Sequence, residues 1–114
     1  MSVDAIISLS FEIGSPSISY GKEILEFAPK LKQVTEEVLF DDIWQRKELL
    51  LRERSIITLT ALASLGRLEQ LPYHIDLSKT HGLNDDELVE IFTHLAFYAG
   101  WPAAVSAITR VQDC

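Results

Sequence analysis

The stretch that decides the fold runs from Leu50 to Arg110: LLRERSIITLTALASLGRLEQLPYHIDLSKTHGLNDDELVEIFTHLAFYAGWPAAVSAITR. It opens on a charged entry, Arg52-Glu53-Arg54. From about Leu51 to Leu65 apolar residues then fall almost all round a helical wheel: Ile56, Ile57, Leu59, Ala61, Leu62, Ala63 and Leu65. A helix apolar on every side is a central one, and Gly66 is placed as its left-handed stop. Leu68, Leu71 and Ile75 mark a second helix, Leu68–Thr80, in which Pro72 is tolerable only near the first turn. Gly82 ends it. Asn84 and Glu87 have capping-box spacing for a third helix, with Leu83 and Leu88 as the staple around it. The apolar face of this helix carries Leu88, Ile91, Phe92, Leu95 and Ala99. Gly100 and Pro102 interrupt it, and Ala103 to Val111 continues helically.

Working outward, Tyr20 to Phe27 reads as a short helix that must end near Ala28, because the residue before a proline avoids the helical region. Pro29 suits the first turn of the next helix, whose apolar stripe is Phe27, Leu31, Val34 and Val38. Asp41-Asp42 breaks that helix, and Ile43-Trp44 begins a connection with a large aromatic anchor. Nearer the start, Leu9, Phe11 and Ile13 alternate with polar residues like a short strand, although Val3, Ile6 and Ile7 also fit a helical turn. GSPSIS, residues 14–19, is a loop by composition.

The chain has 114 residues and no shift in composition, so one domain, 1–114, is expected. Hydrophobic residues make up 47% of it, more than so small a monomer buries easily, which predicts an interface between subunits. A net charge of -7 and the lack of a Lys/Arg cluster argue against nucleic acid. No run reaches the roughly 18 apolar residues of a membrane span. Residues 1–13 lack a basic start and carry Asp4 and Glu12, unlike a signal peptide. The one cysteine, Cys114, permits neither an intrachain disulfide nor a dithiol relay and suits a reducing cytoplasm. These readings predict a soluble cytoplasmic protein.

The helix order and its punctuation resemble the carboxymuconolactone decarboxylase family, within the alkylhydroperoxidase D-like group. The resemblance covers slightly more than half of the chain and is strongest over residues 40–111. It implies an all-α fold of about six helices built on the antiparallel pair Leu51–Leu65 and Leu68–Thr80. The group divides on a Cys-x-x-Cys pair just before a histidine. Counted from the charged entry, the family histidine falls on His74, the two redox cysteines on Arg67 and Gln70, and the peroxidase glutamate on Ser55, with Glu53 close by. The thiols are absent, so peroxide reduction by a thiolate and its resolving partner is excluded within one chain.

What the resemblance leaves is proton chemistry: a cofactor-free carboxy-lyase acting on a small lactone acid. His74 is the expected general acid, since an imidazole exchanges protons near neutrality. Placed on one helix, Arg67, Gln70 and His74 would share a face at i, i+3 and i+7. Arg54 or Arg67 is suited to hold carboxylates, and the entry from Arg52 to Ser55 offers backbone N–H groups to an oxyanion. The expected set is thus His74, Glu53 and Arg54 for catalysis and Arg67, Gln70 and Ser55 for substrate.

Plainer readings stand beside these. His74 also suits a packed interface histidine, and Arg52-Glu53-Arg54 a solvated helix start. His94 pairs in sequence with Glu90 like a surface ion pair. His81, beside Gly82, caps a helix C-terminus where a cation is mildly favoured. Trp44, Tyr73, Tyr98 and Trp101 read as core or interface aromatics able to wall a small pocket. His74, His81 and His94 lack metal-ligand spacing, so no metal is expected. The resemblance implies a homo-trimer or homo-hexamer, and the apolar residues Phe92, Phe97, Tyr98, Trp101 and the Leu9-Phe11-Ile13 arm are the candidate contacts, since aromatics are enriched at interface cores. A peroxide-linked oxidoreductase using an external thiol, and a non-catalytic binding protein of the same fold, are the alternative functions.

Overall fold

The computed structural model describes residues 22–114; the proposed N-terminal strand, its loop and the Leu9-Phe11-Ile13 arm lie outside these. Six α-helices are formed among the described residues: α1 (Lys22–Phe27), α2 (Pro29–Val34), α3 (Leu51–Ser64), α4 (Leu71–Thr80), α5 (Asp85–Ala99) and α6 (Trp101–Asp113). A wider helical turn, Thr35–Phe40, prolongs α2, and a tight turn, Ile43–Gln45, leads towards α3. The expected all-α bundle is therefore what the described residues form.

Local chemistry explains the boundaries. Ala28 leaves the helical region ahead of Pro29, which opens α2. The α5 start is a reciprocal box: Asn84 Oδ1 accepts the Glu87 N–H at 2.8 Å, and Glu87 Oε1 accepts the Asn84 N–H at 3.1 Å. Gly66 and Gly82 stop α3 and α4 at positive φ, 72° and 98°. Both stops close with the same pair of bonds. Arg67 N–H reaches the Leu62 carbonyl and Gly66 N–H that of Ala63, while Leu83 and Gly82 reach Ser78 and Lys79.

One core joins the last four helices: Leu59 and Ala63 of α3, Leu71 and Ile75 of α4, Leu88 and Phe92 of α5, and Ala107 and Val111 of α6, with Leu83 at the α4–α5 corner. A smaller cluster, Phe40, Trp44, Tyr73 and Leu77, fixes the turn before α3 against α4. It makes Trp44 the anchor that its position implied.

Two expectations change. First, α4 begins at Leu71 rather than Leu68, because the Gly66 stop leaves residues 67–70 as a turn. Arg67 and Gln70 therefore do not share a helical face with His74. Second, α3 packs against α4, α5 and α6, yet it is not covered all round. Ser55, Leu59 and Ala63 are buried, whereas Ile57, Ala61 and Leu65 form an outward apolar stripe. The α2 stripe is outward too, with Phe27 90% exposed. Phe92, expected at a subunit contact, is instead wholly inside the core.

This division of α3 predicts unequal mutational costs. Leu59→Ala should lower the unfolding free energy by about 2–5 kcal/mol, since Leu59 is fully buried. Ile57→Ala, on the outer stripe, should cost less than about 0.5 kcal/mol in a dilute denaturation experiment. Equal losses would mean that the two faces are wrongly assigned.

Candidate active site

His74 and His81 stand seven residues apart on α4 and its C-terminal cap, two helical turns along one face. Trp44 serves both. Its indole stacks on the His74 ring at 6.4 Å and 16°, and lies 5.6 Å from the His81 ring. Tyr73 meets His74 edge-on at 4.9 Å. The half-buried His74 is thus held between aromatic surfaces. Burial first, and the nearby His81 second, push its pKa down to about 4. Burial lowers the pKa of His81 as well. Both imidazoles are neutral at pH 7. This corrects the expectation of an ordinary histidine pKa at position 74 and of a favoured cation at position 81.

The opposite wall is the first turn of α3. Ser55, 2% exposed, places its Oγ 2.8 Å from Nδ1 of His81. The other ring nitrogen, Nε2, is buried and has no hydrogen-bond partner among the described residues. A clamp sets this approach. The Arg52 guanidinium donates to the Gly82 carbonyl at 3.2 Å and to both carboxylate oxygens of Glu87. Arg52 and Ser55 are one turn apart, so the clamp that grips Gly82 also brings His81 onto Ser55. Glu87 is held below the usual carboxylate range, chiefly by the hydrogen bond from Arg52.

The residues singled out in the sequence separate into three places. His74 and Ser55 belong to the cluster just described. Glu53 turns back on its own helix, its Oε1 accepting the Leu50 N–H at 2.8 Å, and so repairs a start that lacks a polar N-cap. Arg54 donates to the Arg46 carbonyl at 3.1 Å, and its buried Nε has no partner among the described residues. Arg67 and Gln70 line a separate hollow of about 880 Å³ with Leu62, Gly66, Leu68, Glu69 and Arg110. His81, read in the sequence as a helix C-cap, is brought beside Ser55 and Trp44. Its spacing from His74 was a usable signal, whereas its contact with Ser55, 26 residues away, was not.

No group of His, Cys, Asp or Glu among the described residues is arranged to hold a metal ion. No helix among them is long and apolar enough to cross a membrane.

The histidines give stability a pH dependence of definite sign. A histidine whose pKa is lower folded than unfolded binds its proton better in the unfolded chain, so stability falls as pH drops below about 6.5 towards 4. Glu87 adds a further loss only below its ordinary range near 4.5. The urea midpoint should therefore fall between pH 7 and pH 5, and His74→Gln should flatten that fall. An unchanged midpoint between those pH values would contradict a buried neutral His74.

Comparison with known proteins places the chain in a family. The 4-carboxymuconolactone decarboxylase of Acinetobacter baylyi (strain ATCC 33305 / BD413 / ADP1) is 28% identical over 88 residues, covering 77% of this chain. The chain spans 66% of that relative's length, just under two thirds. The model of the Carboxymuconolactone decarboxylase family matches residues 29–113, from the proline that opens α2 to the last residue of α6. With every helix from α2 to α6 inside that match, the chain belongs to the carboxymuconolactone decarboxylase family.

Proposed function

We propose that this protein is a cofactor-free carboxy-lyase acting on a small lactone acid, with His74 as the proton-transferring residue. The observation that carries the reading is a desolvated imidazole at 74, stacked on Trp44 and electrically coupled to a second imidazole at 81. The family and the relative's name support a decarboxylase-like role.

The chemistry asks for little more. In an unsaturated lactone bearing a carboxylate on the ring carbon next to the double bond, the bond to that carboxylate breaks and carbon dioxide leaves. The electron pair left behind forms a new double bond, and the old one delivers its pair towards the lactone carbonyl. A proton then adds to the carbon beside that carbonyl. The protein must hold the carboxylates, stabilise charge on the carbonyl oxygen and supply the proton. An anionic substrate beside His74 raises its pKa again, so proton uptake accompanies binding. Arg54, with one N–H tied to Arg46 and a buried Nε without a described partner, is suited to a carboxylate. Glu53 and Ser55 complete the α3 entry, and the hollow with Arg67 and Gln70 is a second place for a carboxylate.

Carbon dioxide release from γ-carboxymuconolactone tests the reading. His74→Ala should cut kcat by about 100-fold or more, the scale of a lost general acid. Cys114→Ser should leave turnover unchanged. The thiol pKa is raised by burial and by Asp76, and it lies towards the Asp76–Lys79 side of α4 rather than at the His74–His81 face. Peroxide reduction that requires added thiol would select the oxidoreductase alternative, and absence of both activities the binding protein.

The proposal extends to assembly as a homo-trimer or homo-hexamer. Phe97 and Tyr98 are 74% and 80% exposed and continue into exposed Trp101 and Val105, and Ile57 and Leu65 of α3 are exposed as well. Such apolar area is more than a lone small domain ordinarily shows to water. Sedimentation equilibrium at micromolar concentration should give a multiple of the 12.8 kDa chain mass. A stable folded monomer would contradict the assembly.

A further inference from the structure

Ser55 behaves unlike the other hydroxyl side chains in the helices. Thr58, Thr60, Thr93 and Thr109 each donate to a carbonyl four residues back in their own helix, at 2.7–2.9 Å. Ser55 instead crosses from α3 to Nδ1 of His81. A neutral imidazole has one N–H and one lone pair, and a hydroxyl that donates to Nδ1 puts the ring proton on Nε2. That N–H is then a buried donor without an acceptor among the described residues. A buried donor left in this state is costly, and a ligand that brings an acceptor recovers the cost.

We infer that His81 is a second catalytic residue, whose Nε2–H donates to the lactone carbonyl oxygen as that oxygen gains negative charge, and that Ser55 is its positioning residue. The inference rests on the carboxy-lyase reading above. Trp44 lies against both imidazoles and holds them together, so a lactone whose carbonyl oxygen reaches His81 Nε2 brings its ring within reach of His74. The division of labour is physical. A neutral imidazole donates one hydrogen bond to a forming oxyanion without surrendering its proton. The Ser55 hydroxyl can rotate from donor to acceptor, so it supports His81 whether neutral or protonated. Among the described residues, the titratable and charged groups facing this pair are His74, across Trp44, and the Arg52–Glu87 clamp on the adjacent Gly82.

Nitrogen-15 NMR of the histidine side chains in the full chain tests the inference without turnover. His81 should be in the Nε2–H tautomer. Ser55→Ala should remove that bias, and Ser55→Thr should keep it. Adding a butenolide acetate that has the lactone but no labile carboxylate should move the His81 Nε2–H resonance downfield. In steady-state assays His81→Phe should lower kcat about 100-fold, the scale of a lost oxyanion donor, with KM changed less than about threefold. Ser55→Ala should lower kcat about tenfold and shift its pH profile, and Ser55→Thr should restore both.

An Nδ1–H tautomer in the wild type, or no response to the butenolide acetate, overturns the inference even if His81→Phe fails to fold. Turnover that is abolished by His74→Ala but untouched by Ser55→Ala overturns it while leaving the lyase reading intact. If the wild type releases no carbon dioxide, the lyase reading fails, and the NMR response alone then decides whether His81 is a lactone donor.

Discussion

Arg52 holds the corner on which the site depends. Its guanidinium spans the Gly82 carbonyl and the Glu87 carboxylate, tying the first turn of α3 to the turn between α4 and α5. Glu87 is engaged twice, since the same carboxylate accepts the Asn84 N–H that starts α5. A planar fork suits this geometry, and a lysine would offer only a point charge. Both partners are partly exposed, so the clamp contributes more to register than to stability. What it fixes is where the C-terminal end of α4 lies against α3, and His81 caps that end.

The packing beneath makes the register rigid. Leu59, Ile75, Leu83, Leu88 and Phe92 interlock below the clamp, while Phe40, Trp44, Tyr73 and Leu77 form a second cluster beside it. Trp44 belongs to this second cluster and also faces both histidines, so the wall of the site is part of the fold's own support. A rigid aromatic wall and a buried hydroxyl hold two imidazoles in fixed places, as orientation-dependent chemistry requires. Burial keeps both neutral at pH 7.

What could be read from the sequence was local. Pro29, Gly66, Gly82 and the Asn84–Glu87 box act within a few residues, and each ends or begins a helix where its chemistry requires. The resemblance puts the family histidine on His74 by its distance from the charged entry, and the fold brings that residue against Trp44 and near His81. The supposed common face of Arg67, Gln70 and His74 failed for a local reason as well: the bonds that close the Gly66 stop leave a turn where a helix was drawn. Ser55–His81 and Arg52–Glu87 join residues 26 and 35 apart, and no periodicity reports such contacts. Glu53 shows the converse. A charged residue at a helix entry suits catalysis and capping alike, and the structure uses it as a cap.

The outcome of greatest weight is where a substrate-like molecule sits. Two places compete: the aromatic wall with His74 and His81, and the hollow with Arg67 and Arg110. A crystal structure of the protein with a butenolide acetate bound would decide between them. The lactone carbonyl oxygen should lie within hydrogen-bond distance of His81 Nε2, with its ring carbon facing His74. A lactone seated in the arginine hollow, with His74 and His81 untouched, would contradict that placement.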